Sequence, residues 1–201
     1  IAGGGAGDEE QWIDCLEKRP RDRAFFMWFA AYDAHRGWAP DPEAKPHTPE
    51  DAVIPPYMID TPAVRKDTAQ YYDEVQRLDR YTGLVVKELK TQGVLDNTLI
   101  IFMADNGRPF ARCKTRLYDS GVKTPFIVHW PAGLKQTGKV SAALVSAIDI
   151  APTILELAGL TSPKTFQGVS MTPLLADPKA VIRTYAFAEH NWHGQIAHGR
   201  M

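Results

Sequence analysis

The chain has 201 residues, of which 44% are hydrophobic and 23% are charged, and its formal net charge is −1. This length and composition are sufficient for a buried core, and we expect one globular domain over residues 1–201. The balanced charge offers no basic surface for nucleic acid, and no apolar run reaches the roughly 18–20 residues of a membrane span. The sequence opens on a glycine-rich stretch without Met, so we expect an excerpt of a longer protein.

The first half of the chain predicts two helices, one strand and a long loop. Residues 8–19 carry apolar side chains at helical spacing, and residues 25–32 form the continuous apolar run of a buried strand. Residues 38–63 contain seven prolines and predict an irregular loop. Residues 62–92 keep helical spacing again.

The second half predicts further strands and one helix. Residues 99–104 and 126–130 are short apolar runs typical of strands, and residues 185–190 predict another. Residues 149–159 predict a helix with Asp149 as its N-cap. A strand, a long helix and a second strand form a βαβ crossover, which favours a parallel sheet. The chain is therefore predicted to be an α/β protein with a mostly parallel sheet flanked by helices.

Polar residues stand where the predicted strands end. Asp105 and Asn106 directly follow residues 99–104, and His35 follows the strand of residues 25–32. Ligands of open α/β sheets bind beyond the carboxyl ends of the strands. Two oxygen donors suit a hard cation such as Ca²⁺ or Mg²⁺, although two cannot complete its shell. With the ammonium group of Lys114, such a site would suit a tetrahedral oxyanion.

Each of these residues also has an ordinary structural interpretation. Asp-Asn-Gly at residues 105–107 is common in turns and often closes a hairpin. His35 could be a hydrogen-bonded loop residue. Cys15 and Cys113 have neither disulfide-framework nor zinc-site spacing. Cys113 lies between two cations that could activate its thiol, and it could equally be an incidental loop residue.

The order of these motifs resembles the sulfatase family of the alkaline-phosphatase-like superfamily. The similar segments are LIIFMADNG, Lys114, YDSGVKTPFI and Trp130-Pro131, and Asp-Ala-His-Arg at residues 33–36 resembles the Asp-Pro-His-Arg of the sulfamidase-like branch. The resemblance implies an alkaline-phosphatase-like fold, with this chain as the C-terminal part of the catalytic domain. Residues 183–201 are then a candidate start of a smaller C-terminal subdomain.

The resemblance also implies the chemistry. Lys114 and His35 would be catalytic residues, and Asp105 and Asn106 would supply half of the ligands of a metal ion, Ca²⁺ rather than Mg²⁺. Sulfatases use a formylglycine made within a Cys/Ser-x-Pro/Ala-x-Arg motif, and residues 112–116 lack the Pro or Ala. We therefore expect the nucleophile to lie outside this chain and the chain alone to be inactive. The full-length protein is expected to need a formylglycine-generating enzyme and to work outside the cytoplasm.

The substrate is expected to be a sulfated small molecule or sugar. His190, Asn191 and His193 follow the last predicted strand and could hold a sugar ring or form an exposed edge. Lys123 occupies a position where the family often has Arg, so it could contact substrate or support the loop. Two other functions remain open, a phosphonate or phosphodiester hydrolase of the same superfamily and a non-catalytic domain that binds anions or glycans. A Cys/Ser-x-Pro-x-Arg motif in the complete reading frame would favour the sulfatase.

Overall fold

The computed structural model describes residues 7–190, and the chain divides into two compact units. The first contains the residues up to Leu95 together with Arg108–Lys114, and the second contains Asp96–Gly107 and the residues from Thr115 onward. The helices are α1 (Trp12–Lys18), α2 (Pro62–Thr91), α3 (Asp119–Val122), α4 (Ile150–Leu157) and α5 (Thr172–Ala176), and the strands are β1 (Ile100–Met103) and β2 (Phe126–His129). Short 3₁₀ turns cover Glu9–Gln11, Pro49–Asp51, Leu95–Asn97 and Ala147–Asp149.

Helix α2 organises the first unit and matches its prediction closely. It begins where the Thr61 hydroxyl accepts a hydrogen bond from the Val64 amide at 3.3 Å, and it ends before Gly93, whose φ of +70° suits a helix stop. Helix α1 packs on it, with Trp12 and Leu16 buried. None of the described helices is both long and apolar enough to cross a membrane.

The irregular loop that the prolines predict is held to α2 by charged side chains. Arg77 donates to the Ala39 carbonyl oxygen at 3.0 Å, and the Arg80 guanidinium lies 2.9 Å from the Asp41 carboxylate. Farther along, His47 Nδ1 lies 2.8 Å from an oxygen of Asp73. The loop therefore follows the surface of the helix although it has little secondary structure of its own.

The predicted strands at residues 25–32 and 185–190 are not strands in the structure. Exposure alternates along the first, with Phe26 and Trp28 exposed and their neighbours half-buried, so the segment is not the buried strand that its continuous apolar run predicts. A strand also needs a neighbour with which to form a ladder, and the described chain supplies only an isolated bond from Gly7 N to Ala30 O, 2.9 Å long. Residues 185–190 are exposed and irregular. The hydrophobic pattern identified two apolar segments but did not show whether another strand pairs with either of them.

The strands of the second unit form an antiparallel pair. Ile100 lies opposite His129, and Met103 lies opposite Phe126. Both strands fall within their predicted ranges, residues 99–104 and 126–130. The mostly parallel sheet stays a prediction.

Asp149 occupies the N-cap position that the sequence predicts, with a different set of side-chain partners. It stands at that position of α4, but its side chain makes no cap hydrogen bond to the helix. Instead the fully buried carboxylate accepts hydrogen bonds from the amides of Ser146 and Val169, both 2.8 Å long, and pairs with Arg183. The N-cap position is confirmed, but the carboxylate closes the capping box of the preceding 3₁₀ turn with Ser146 and also binds Val169 and Arg183, so it links three segments of the second unit.

Candidate active site

Asp105 and Asn106 follow strand β1 directly, as the sequence predicts. Asp105 is exposed and Asn106 is half-buried. The hairpin interpretation of Asp-Asn-Gly is wrong, because residues 104–125, which include α3, connect β1 to β2. Gly107 also lacks the positive φ that a primed hairpin turn requires. The motif instead begins a long connection at the carboxyl end of a strand.

Close packing explains the glycine of this motif. The Gly107 amide donates to the Gly121 carbonyl oxygen at 2.9 Å. A Cβ at position 107 would lie 2.0 Å from the Ser120 carbonyl oxygen and 2.8 Å from Gly121 Cα. Only glycine lets the two backbones approach this closely. The contact fixes Asp105 and Asn106 next to α3.

The chemistry of these two side chains suits a hard divalent cation. A carboxylate and an amide supply oxygen donors, which Ca²⁺ and Mg²⁺ prefer, but Ca²⁺ takes six to eight ligands. Among residues 7–190 there is no group of three or more His, Cys, Asp or Glu side chains that could hold a metal ion. Asp105 and Asn106 could supply two of these ligands, and their role in a metal site remains a prediction. Lys123, in the same unit, is exposed at the C-terminal end of α3.

His35 lies in an exposed turn of the first unit. Its amide donates to the Tyr32 carbonyl oxygen at 3.0 Å, and its ring lies 5.1 Å from that of Tyr32. Nδ1 lies 3.1 Å from the carbonyl oxygen of Arg36, which can only accept a hydrogen bond. This contact assigns the proton of the neutral ring to Nδ1 and leaves Nε2 as the basic nitrogen. Nε2 can therefore bind an oxyanion when protonated or exchange a proton with a leaving group.

A buried ion-pair network fixes the base of the His35 turn. Asp33 has only 3% of its side chain exposed and binds Arg77, which also donates to Glu74 at 3.2 Å and to the Ala39 carbonyl oxygen at 3.0 Å. Burial raises the pKa of Glu74 although it accepts a hydrogen bond from the Ala39 amide. The hydrogen bond to Asp33 raises the pKa of Arg77, so this cation stays charged. Sequence reasoning missed this network because its members are 44 residues apart.

Lys114 closes a compact loop, residues 108–114, in the first unit. Its amide donates to the Arg108 carbonyl oxygen at 3.0 Å, and the Cys113 amide donates to the Phe110 carbonyl oxygen at 3.2 Å. Lys114 is half-buried. Cys113 is fully buried, and its sulfur lies 3.4 Å from the Tyr57 hydroxyl. Burial leaves Cys113 inaccessible to a substrate, which favours the interpretation as a structural residue of the loop.

The remaining predicted substrate residues stand near the C-terminal end of the chain. His190 is exposed in an irregular segment, and Asn191 and His193 lie outside the described residues. His35 and Lys114 belong to the first unit, whereas Asp105, Asn106 and Lys123 belong to the second. A common site for all of them remains a prediction.

Comparison with known proteins identifies a family. The family model described as Sulfatase matches residues 10–160. N-sulphoglucosamine sulphohydrolase from Homo sapiens is 37% identical over 164 residues, which are 71% of this chain and 33% of that protein. The chain spans about a third or less of the length of the first curated relatives that it matches.

The structure of this chain also matches solved structures. A structure titled for the metabolism of multiple glycosaminoglycans by Bacteroides thetaiotaomicron matches with a TM-score of 0.70 and 25% identity, over 86% of this chain and 39% of that one. A phosphonate monoester hydrolase from Silicibacter pomeroyi matches with a TM-score of 0.51 and 30% identity, over 60% of this chain and 24% of that one.

Proposed function

Because this chain belongs to the sulfatase family, we propose that it supplies part of the active site of an enzyme that hydrolyses sulfate esters or sulfamates on sugars. The similarity to the human N-sulphoglucosamine sulphohydrolase supports a sulfated or sulfamidated amino sugar as the substrate class. The full-length protein would act outside the cytoplasm.

One structural observation carries the proposal. The loop that contains Lys114 and the turn that contains His35 contact each other, since Arg36 Nε donates to the Pro109 carbonyl oxygen at 3.0 Å. The two residues proposed to act on the sulfuryl group therefore lie on touching loops of one unit. Such an arrangement suits a small oxyanion, which needs a cation and a proton donor close together.

Each residue has a specific role in the proposed reaction. The Lys114 ammonium would neutralise charge on a sulfuryl oxygen, and His35 Nε2 would bind the group or assist the leaving atom. Asp105 and Asn106 would hold Ca²⁺ together with ligands from elsewhere in the full-length protein. When bound, that ion polarises the sulfuryl oxygens and orients the nucleophile.

The nucleophile in this proposal is a formylglycine outside this chain, and a formylglycine-generating enzyme would produce it. His190, Asn191, His193 and Lys123 are proposed contacts to the sugar or its sulfate. All four are polar or cationic, as binding of a sulfated sugar would require.

The test uses the full-length protein, co-expressed with a formylglycine-generating enzyme. We expect it to hydrolyse N-sulfoglucosamine or glucosamine 6-sulfate. Replacement of a charge-stabilising group in an active site lowers kcat by about 10²–10³-fold, and we expect losses of this size for Lys114→Ala and His35→Ala. Lys87→Ala on the exposed side of α2 and His129→Ala on β2 are matched controls that should retain activity. A wild-type protein that binds sulfated sugar without cleaving it would indicate the non-catalytic alternative.

The similarity to a phosphonate monoester hydrolase favours phosphonate hydrolysis as the second candidate. Parallel assays with phenyl phosphonate esters and aryl sulfates separate the two. A kcat/KM that is higher for the phosphonate would overturn the sulfatase proposal.

A further inference from the structure

Arg36 joins the two loops that carry the proposed catalytic residues. It directly follows His35, and its Nη1 and Nη2 atoms donate to the two carboxylate oxygens of Asp67 on α2 at 3.0 and 2.6 Å. Its Nε donates to the Pro109 carbonyl oxygen at 3.0 Å, in the loop that ends at Lys114. One planar guanidinium therefore contacts the helix and the second loop at once, which a lysine could not do.

The stacked rings of Trp38 and Phe110 lie beside this guanidinium. Its central carbon lies 5.2 Å from the ring centre of Trp38 and 5.0 Å from that of Phe110. Phe110 also packs edge-to-face against Tyr71 of α2, with ring centres 5.3 Å apart, and Trp38 Nε1 donates to Asp67 at 2.6 Å. Cation–π contact and the two-pronged ion pair together restrict the rotamers of Arg36.

The ion pair persists at neutral pH. Burial raises the pKa of Asp67, but hydrogen bonds from Arg36 and Trp38 lower it more, and the pKa lies below its ordinary value. Asp67 is therefore a carboxylate near neutral pH, and its ion pair with Arg36 stays formed.

We propose that Arg36 is a positioning residue that sets the placement of His35 relative to Lys114. This inference rests on the proposed function for its catalytic consequence. The effect is on geometry. Loss of the guanidinium removes the hydrogen bond between the turn that contains His35 and the loop of residues 108–114. A displacement of about 1 Å between catalytic groups can cost about 100-fold in rate.

The first test does not depend on activity. Hydrogen–deuterium exchange of the full-length protein should be faster in residues 108–114 of Arg36→Ala than in the wild type. Arg65→Ala is the matched control, because Arg65 also forms a two-pronged ion pair with an aspartate, Asp60, 2.6 and 2.5 Å away. Exchange in that segment should be unchanged in the control. Unchanged exchange in Arg36→Ala would overturn the proposal that Arg36 fixes this loop. That conclusion does not depend on whether the protein is a sulfatase.

The second test measures kinetics with N-sulfoglucosamine. We expect Arg36→Ala to lower kcat by about 10–100-fold, and Arg36→Lys to retain part of the activity because it keeps the charge at Asp67. In a Lys114→Ala background the same Arg36→Ala change should cost clearly less, because a positioning residue acts through its target. An undiminished cost there would show direct substrate contact and overturn the positioning role. An inactive wild type would instead refute the proposed function.

Discussion

Alanine at position 107 should destabilise the protein through a single methyl group. The added Cβ would lie 2.0 Å from the Ser120 carbonyl oxygen and 2.8 Å from Gly121 Cα. Both neighbours are backbone atoms, so the strain cannot be relieved by a side-chain rotation. Relief requires a shift of about 1 Å between the Asp105–Gly107 turn and α3, since real Cβ atoms essentially never lie closer than 3.0 Å to another heavy atom. Overpacking of this kind costs about 1–3 kcal/mol.

The same substitution at Gly83 provides a control of opposite sign. Gly83 lies within α2, and its Cβ would have no heavy atom within 4 Å. Alanine in a helix interior is more stable than glycine by about 0.5–1 kcal/mol. The two variants therefore differ by one identical methyl group and should change the free energy of unfolding in opposite directions.

Urea denaturation followed by tryptophan fluorescence measures this difference. We expect a lower midpoint for Gly107→Ala and a higher one for Gly83→Ala, with similar slopes. Because Gly107 positions Asp105 and Asn106, Ca²⁺ affinity measured by calorimetry on the full-length protein should also fall in the first variant alone. A Gly107→Ala variant as stable as the wild type would refute the close approach of the two backbones.

Two further predictions concern ion pairs. Asp149→Asn leaves Arg183, only 15% exposed, without its charged partner, and breaking such a pair costs about 3–5 kcal/mol. Urea denaturation should show this loss of unfolding free energy. The control Asp14→Asn, on the exposed surface, should have little effect. The hydrogen bond from Arg80 holds the pKa of Asp41 below its ordinary value of 3.8, although burial alone would raise this pKa. Ionised Asp41 therefore stabilises the fold above pH 3.8, and this stabilisation is lost as the pH falls through the lowered pKa. The difference in thermal midpoint between wild type and Asp41→Asn should therefore be large at pH 7 and shrink below pH 3.8, and a constant difference would contradict the ion pair.

Local signals made several elements predictable. Helix α2 begins at Pro62 and is stopped by Gly93, and Gly159 at φ +72° follows α4, as expected for a helix stop. The apolar runs that became β1 and β2 were correct to within a residue or two. Asp105 and Asn106 could be placed at a strand end because they adjoin such a run. In each case the deciding residues are neighbours in the sequence.

Features that depend on distant partners could not be predicted. The apolar run at residues 25–32 identified a candidate strand but not whether another segment pairs with it. Arg36 contacts Asp67 and Pro109, which are 31 and 73 residues away. Nothing in the spacing of a loop arginine indicates which carboxylate it will bind. The carboxylate of Asp149 likewise binds Val169 and Arg183, which are 20 and 34 residues away.

The anchoring of an irregular loop along α2 constrains how this protein can change in evolution. The helix has 30 residues, about 45 Å at 1.5 Å per residue. Four of its side chains bind the loop, namely Asp67, Asp73, Arg77 and Arg80. One inserted residue within this stretch would rotate every later anchor by about 100° away from its partner. Substitutions on the solvent side of the helix should accumulate freely, whereas insertions and deletions between positions 67 and 80 should be eliminated by selection. We therefore expect the spacing of these residues along the helix to be more strongly conserved than its exposed side chains.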